Sequence, residues 1–341
     1  MDDIYLVVGL GSMGKRRVRD LMRLGVGRVV GVDRRGDRRQ EVQDKFGAET
    51  LDDFNTGLGL KPRAVIVSVP PHLHYRFCRA ALDAGAVYFV ECLTALTMEE
   101  IDSLVAQDAA LPGRAYPSCT NLMNEHAQHS AQALKRLGKI YSIHVSMSSW
   151  LPNQHPWEKQ AGDHYEFHRD QGGGLAEPAF QLSWISNILG RMPVRVSAQS
   201  SHVSDLPSGF SDLLDMIIEF DDGMALNFHY SLCEKHDGSV GVFTRFSGAG
   251  GTVQSEPCRS RFYDSGKREW EEYSPSPNWT YEESYLLEMR HFIGALNGNE
   301  AYQGNLQIER QVLALLLAAE ESSKTGRAVE VEQTSNRLFI Q

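Results

Sequence analysis

Ile4-Tyr5-Leu6-Val7-Val8-Gly9-Leu10-Gly11-Ser12-Met13-Gly14 decides the fold of this chain. A short apolar run ends in a glycine turn and opens a stretch with helical spacing, the context in which a Gly-x-Gly-x-x-Gly string carries weight. Gly9 permits the tight turn, Gly11 lets the backbone approach a pyrophosphate, and Gly14 lets helix and strand pack closely. The anion then rests on the helix N-terminus, where unpaired N–H groups and the dipole favour it. Asp33 ends the next apolar run, nineteen residues beyond Gly14, where a carboxylate accepts hydrogen bonds from the adenosine ribose hydroxyls. Together these residues predict a nicotinamide dinucleotide. Asp33 repels a 2′-phosphate and so favours NAD, but Arg34 and Arg35 follow it and NADP stays open. Arg35 reads more simply as part of a solvated turn leading to Arg38-Arg39.

Outward from this turn, strands are expected at Ile4-Val8, Arg28-Val32, Ala64-Val69, Val87-Val90 and Arg114-Ser118, with helices near 13–24, 37–46, 72–84 and 97–109 between them. Alternation of this kind builds βαβ units around a parallel sheet, and strands that are almost wholly apolar are those covered on both faces. After a helix at 124–137 the pattern changes to longer alternating segments at 140–149, 194–203, 213–220, 224–232, 240–247 and 251–255. Their Asp-Gly and Gly-rich links read as an antiparallel meander. Helices at about 281–296 and 305–322 close the chain. The expected fold is an α/β Rossmann domain over residues 1–120, then an α+β domain over 121–341 on an open, mainly antiparallel sheet. The last helices are free to pack back on the first domain.

A chain of 341 residues with 42% hydrophobic content is long enough for two cores. The 34 basic against 44 acidic residues leave a net charge of -10 and no broad basic face, which disfavours nucleic acid and favours small molecules. The acidic opening Met1-Asp2-Asp3 has no cationic n-region, and no apolar run is long enough for a bilayer. The five cysteines (Cys78, Cys92, Cys119, Cys233, Cys258) form no Cys-x-x-Cys pair, so a reducing, cytoplasmic setting without thiolate zinc is expected.

The glycine turn, Ser68-Val69-Pro70-Pro71-His72-Leu73-His74 after the third strand, and Glu91-Cys92-Leu93-Thr94-Ala95-Leu96 after the fourth stand in the order and spacing of a known family. With Gly172-Gly173-Gly174 opening a later helix, the chain resembles the glucose-fructose oxidoreductase / inositol dehydrogenase / MocA family over nearly its whole length. Leu151-Pro152-Asn153-Gln154-His155-Pro156-Trp157-Glu158 is similar to members associated with cell-surface sugar biosynthesis. The resemblance implies NAD or NADP in the first domain, a sugar, cyclitol or related hydroxyl or carbonyl substrate, and a homodimer or homotetramer. It also implies that Glu91 orients a neighbouring lysine and approaches the nicotinamide ribose, and that Asn121 reaches nicotinamide or substrate. Candidate cofactor contacts are thus Gly9, Gly11, Ser12, Met13, Gly14, Asp33, Arg34, Ser68, Val69, Pro70, His74, Glu91, Cys92 and Asn121. His72 and His74 read as the start of a helix, or as a metal pair.

The catalytic positions depart from the family. Cys92-Leu93 stands where Glu-Lys-Pro is usual, and a thiol carries no cation to stabilise a developing alkoxide. In the second domain Glu177 takes the acidic position, but the family's histidine falls on Phe180 or Gln181. Replacement acid-base groups are sought in Gly162-Asp163-His164-Tyr165-Glu166-Phe167-His168-Arg169, where His164 and His168 share a face if helical. The stretch reads as an exposed loop, a substrate contact, or a zinc site with Glu177. Glu177 is a base, a substrate hydrogen-bond acceptor or a helix-terminal acid; Cys92 is a nucleophile, a redox sensor or a small filler. Glu177, His164, Tyr165, His168, Gln181 and Cys92 are the catalytic candidates. The expected function is an NAD(P)-dependent oxidoreductase acting on a sugar, amino sugar or related compound. The alternatives are a dinucleotide-binding sensor without turnover, and a lyase or glycosidase that re-reduces its substrate on retained NAD.

Overall fold

The computed structural model describes residues 3–154, 164–235 and 241–333. His155 to Glu158 and Gly162-Asp163, singled out above, lie outside them. Backbone contacts divide the chain into two compact units, one of residues 1–120 with 282–310 and one of 121–281 with 311–341. The segment 282–310, beyond the boundary read from sequence, therefore returns to the first unit.

The first unit runs β1 (Ile4–Val8), α1 (Ser12–Arg23), β2 (Arg28–Val32), α2 (Gly36–Phe46), β3 (Glu49–Leu51), α3 (Phe54–Gly59), β4 (Ala64–Val67), α4 (His74–Asp83), β5 (Val87–Val90), α5 (Met98–Ala110) and β6 (Ala115–Pro117). Its strands are parallel in the order β3-β2-β1-β4-β5-β6. The order reverses beside β1, the switch point where open α/β sheets bind ligands at the carboxyl ends of their strands. β3 and α3 were not expected; the strand is only three residues long and its Glu49-Thr50-Leu51 is partly exposed, so it carries no apolar signature.

In the second unit, α6 (Glu125–Leu137), β7 (Ile140–Ser148), the short α7 (Leu151–Gln154) and α8 (Ala176–Leu189) precede β8 (Pro193–Ser201), β9 (Leu213–Phe220), β10 (Ala225–Ser231), β11 (Gly241–Gly248), β12 (Gly251–Glu256), β13 (Arg259–Asp264) and β14 (Glu269–Glu272). Among the described residues the sheet order is β14-β13-β12-β11-β7-β10-β9-β8-β15, with β15 at Val329–Glu330. A plain meander is thus a correction. β7 pairs antiparallel with β11 but parallel with β10, because α7, α8, β8 and β9 intervene before the chain re-enters beside it. Alternate residues of β7, Ile143, Val145 and Met147, are buried. α8 is fixed on this buried side by Trp184 edge-on to Phe246 at 6.1 Å and by Gln181 donating to Thr244 at 2.9 Å.

Chain return is made by α9 (Tyr281–Leu296) and α10 (Leu306–Thr325). In the first unit, Met289 and Phe292 of α9 enter the core of Val7, Val18, Ile66 and Phe89, with Phe292 5.5 Å from the Phe89 ring and edge-on to Tyr116 at 5.0 Å. The same helix supplies Glu288, which is fully buried. Opposite it lies Arg17 of α1, also fully buried, whose Nη1 is 2.7 Å from Glu288 Oε2. Its other edge forks onto Glu91, just past β5, with Nε and Nη2 donating at 2.6 and 2.8 Å. Ser118 Oγ, the Cys119 N–H and Thr120 Oγ1, all past β6, complete the donors to Glu288 at 2.8, 2.6 and 2.7 Å.

Removing one partner from such a cluster strands buried charge, at a cost of about 3–5 kcal/mol. Arg17→Met is expected to lose stability of that order, read as a lowered urea midpoint of the cofactor-free protein; an unmoved midpoint would contradict the burial described.

Candidate functional site

The glycine turn has the shape a pyrophosphate needs. Gly9 sits at φ +86°, and a Cβ there would come 2.4 Å from the Ser68 carbonyl oxygen; one on Gly14 would come 1.7 Å from that of Gly9. Neither position admits a side chain. Gly11 differs, since a Cβ there would meet only the Arg38 guanidinium, at 3.6 Å, leaving open the space a ligand fills. No side chain caps α1, so its first N–H groups can be met by an anion. The residues fit the dinucleotide.

Asp33 is held firmly just past β2. Its carboxylate accepts the N–H of Leu10 and of Arg35, both at 2.8 Å, and Arg38 lies 3.6 Å away. Each oxygen keeps a second acceptor direction for a ribose hydroxyl. Arg35 is paired with the exposed Asp37, and Arg39 donates to the carbonyls of Asp33 and Arg34. Arg34 is exposed. The cation that closes on Asp33 is therefore Arg38, which the sequence reading passed over because one turn of helix separates it from the carboxylate.

The strand order puts β4 and β5 on the other side of β1 from Asp33, so their carboxyl ends are where the nicotinamide half extends. Ser68 Oγ donates to Glu91 Oε1 at 3.2 Å, beside the Arg17 fork. Val69 lies against the glycine turn, with its Cγ1 2.8 Å from where a Gly9 Cβ would be. Burial, then the carboxylates of Glu309, Glu91 and Glu288, push the Cys92 thiol well above its usual value. This disfavours the thiolate that the nucleophile and redox-sensor readings both need. Ser12 accepts from Arg16 at 2.7 Å, and Met13 sulfur also faces Arg16 at 3.7 Å.

His74 is a correction. It is fully buried, with Nδ1 2.8 Å from the Leu93 carbonyl oxygen and Nε2 2.7 Å from that of Val69. It ties the loops that follow β4 and β5 and does not reach a cofactor. His72 is exposed, so the two do not face one metal.

In the second unit, Tyr165–Phe167 and Arg169–Gln171 form two tight 3-10 turns. His164 caps the first, its ring accepting the Glu166 N–H at 3.4 Å, and His168 precedes the second. They do not share a helical face as the zinc reading needs, and no group of three His, Cys, Asp or Glu among the described residues could hold a metal. Tyr165 Oη donates to Glu166 at 3.1 Å. The triple glycine then packs flat on Phe210, whose ring atoms lie 2.8 and 2.6 Å from where Cβ atoms of Gly173 and Gly174 would be. This delivers Glu177 in the first turn of α8, where the helix dipole favours a carboxylate.

Tyr230 of β10 meets it. Its hydroxyl donates to Glu177 Oε2 at 2.6 Å, and burial together with Glu177 raises its pKa well above the ordinary tyrosine value. Glu166, Gly172, Glu177 and Tyr230 line one pocket with Leu151 and Leu232. Sequence reading missed Tyr230, since in Ala225-Leu226-Asn227-Phe228-His229-Tyr230 it falls on the buried side of an alternating strand and looks like core. Gln181 is a second correction, its amide being tied to Thr244 of β11 beneath α8. Asn121 accepts from Tyr281 at 3.1 Å.

Residues 4–112 match the family model for an oxidoreductase family with an NAD-binding Rossmann fold, and residues 132–331 match its C-terminal alpha/beta domain. The chain belongs to the glucose-fructose oxidoreductase / inositol dehydrogenase / MocA family. Its first domain is accordingly an NAD-binding domain. A 2,7-anhydro-N-acetylneuraminate hydratase of Mediterraneibacter gnavus is 23% identical over 282 residues, covering 76% of this chain and 71% of the relative. Levoglucosan dehydrogenase, solved with NADH and levoglucosan, superposes with a TM-score of 0.85 at 16% identity, over 98% of this chain and 100% of that one. The WlbA dehydrogenase of Bordetella pertussis, solved with NADH and UDP-GlcNAcA, gives 0.80 at 16% identity over 98% and 99%. No described helix is long and apolar enough to cross a membrane.

Asp33→Asn, which halves the acceptors offered to the ribose, should weaken NAD about tenfold by calorimetry, the equivalent of one good hydrogen bond to a charged group; unchanged affinity would remove Asp33 from the site. His74 generates a pH prediction. Burial pulls it to about 4 from 6.5, so the unfolded chain binds its proton first as pH falls. Stability from this group is full above pH 6.5 and is lost towards pH 4, at most about 3 kcal/mol. Thermal unfolding of His74→Gln should show a shallower loss between those pH values than the parent.

Proposed function

We propose that the chain is an NAD-dependent oxidoreductase of a sugar or sugar-like hydroxyl or carbonyl compound, in which Glu177 exchanges the substrate's hydroxyl proton and Tyr230 holds that carboxylate. The observation that carries the reading is the 2.6 Å bond from Tyr230 to Glu177 in a pocket that Glu166 also lines. When bound, NAD supplies the hydride acceptor. The protein's own groups must hold the substrate and move one proton. Tyr230 keeps its proton at neutral pH and so donates at all times, which fixes one oxygen of Glu177. Tyr165, by donating to Glu166, orients a second carboxylate that lines the same pocket, a space with room for about one water in this structure. Two carboxylates and a phenol suit a substrate rich in hydroxyls. The sugar ligands of levoglucosan dehydrogenase and the WlbA dehydrogenase support the same class.

One relative favours a second reading. A hydratase adds or removes water with no net redox change, so the chain could use NAD transiently and return the hydride to its substrate. Incubation with candidate sugars separates the two, since net NADH absorbance marks the dehydrogenase and product without NADH marks the redox-neutral reaction.

Loss of general acid-base help typically costs 10²- to 10⁴-fold. Glu177→Gln should therefore lose turnover of about that size while NAD affinity stays put, and Tyr230→Phe should lose roughly tenfold, the worth of one charged hydrogen bond. Wild-type rates in Glu177→Gln would sink the assignment.

A further inference from the structure

The buried Arg17 cluster does more than hold the first unit together. Two carboxylates, Glu91 and Glu288, share one guanidinium. Three donors, from Ser118, Cys119 and Thr120, converge on Glu288, and the Arg17 guanidinium forms an ion pair with it. Three, from Ser68 and the two arms of Arg17, converge on Glu91. At its formal charges the cluster holds one cation and two carboxylates. The guanidinium also lies over the Phe89 ring at 4.8 Å and near that of Tyr285 at 5.6 Å, in surroundings too apolar to screen the surplus charge. Cys92, next to Glu91, is disfavoured from ionising first by its burial and then by Glu309, Glu91 and Glu288.

The cluster stands at the carboxyl end of β5, on the side of β1 where the nicotinamide half extends. The nicotinamide ring carries a positive charge in NAD⁺ and none in NADH. We propose that the Arg17–Glu91–Glu288 cluster is an electrostatic element that makes the first domain hold NAD⁺ more tightly relative to NADH, lowering the potential of the bound cofactor so that bound NADH returns its hydride more readily. Arg17 is then a positioning and charge-balancing residue: it fixes Glu91 at the site, while Glu288 supplies the uncompensated charge behind it. The inference rests on the cofactor site and not on the identity of the substrate.

The test is the ratio of Kd for NAD⁺ to Kd for NADH, with calorimetry for the first and NADH fluorescence for the second. Glu288→Gln removes one charge while its single amide oxygen retains the acceptor for Ser118 and the Cys119 N–H, the amide nitrogen taking the place of the oxygen that faces Thr120 and Arg17. It should raise the ratio on the order of tenfold, the size expected for one charge acting over roughly 10 Å at an effective dielectric of about 20. Tenfold corresponds to a bound potential about 30 mV more positive. Glu309→Gln, which removes a carboxylate also felt by Cys92, should shift the ratio the same way and serves if Glu288→Gln does not fold. Ser118→Ala breaks a hydrogen bond in the cluster without changing charge, and should leave the ratio within about twofold. A ratio unmoved by both glutamine variants, or moved equally by Ser118→Ala, overturns the proposal while leaving the cofactor site intact. A wild-type protein that binds neither form overturns the site and the proposal together.

Discussion

Arg17 is the constraint on which the first unit depends. A guanidinium with no exposure has given up its water, and its attraction to Glu91 and Glu288 offsets that loss only where donors and acceptors meet in good geometry. The forked pairing with Glu91 fixes the end of β5 relative to α1, and the contact with Glu288 fixes α9 relative to both. Ser118, Cys119 and Thr120 then bring in the end of β6. A parallel sheet could close its hydrophobic core with any apolar helix. The cluster specifies which helix and in what register, and so explains why a segment from beyond residue 280 belongs to a domain that otherwise ends near 120.

The same residues separate holding a cofactor from reacting with it. Gly9 and Gly14 are excluded from bearing side chains by contacts of 2.4 and 1.7 Å, and Asp33 is locked by two backbone N–H groups. These features fit a dinucleotide. At position 92 the usual ammonium is replaced by a thiol that burial and three carboxylates keep protonated. In the second unit Glu177 and Tyr230 form a tightly bonded pair at 2.6 Å.

Much of this was legible in the sequence because period and punctuation are local. The turn after β1, Asp33 after β2, Ser68 after β4 and Glu91 after β5 stand at strand ends that apolar runs mark plainly. What escaped depends on partners far away in the chain. Arg17 looks like any basic residue in Lys15-Arg16-Arg17-Val18-Arg19, and only its partners 74 and 271 residues later distinguish it from its solvated neighbours. Tyr230 was hidden by the alternation that identified its strand. β13 and β14 were missed since Arg259-Ser260-Arg261 and Glu269-Trp270-Glu271 carry too much charge to read as half-buried strands; the edge of an open sheet tolerates this. The helical pairing of His164 with His168 failed for a different reason: a four-residue spacing indicates one face only where a helix exists, and two 3-10 turns stand there instead.

The absent lysine and the buried arginine are best understood together. A lysine after Glu91 would need that carboxylate as its counter-ion, yet both of its oxygens already accept from Arg17, and Ser68 adds a further donor. An ammonium at position 92 would have to compete with a bidentate guanidinium, whose planar fork matches a carboxylate better than a point charge does. With Arg17 in place, position 92 is relieved of carrying the charge that fixes Glu91, and a small uncharged side chain suffices. In this arrangement the positive charge that holds Glu91 sits behind the carboxylate, away from solvent.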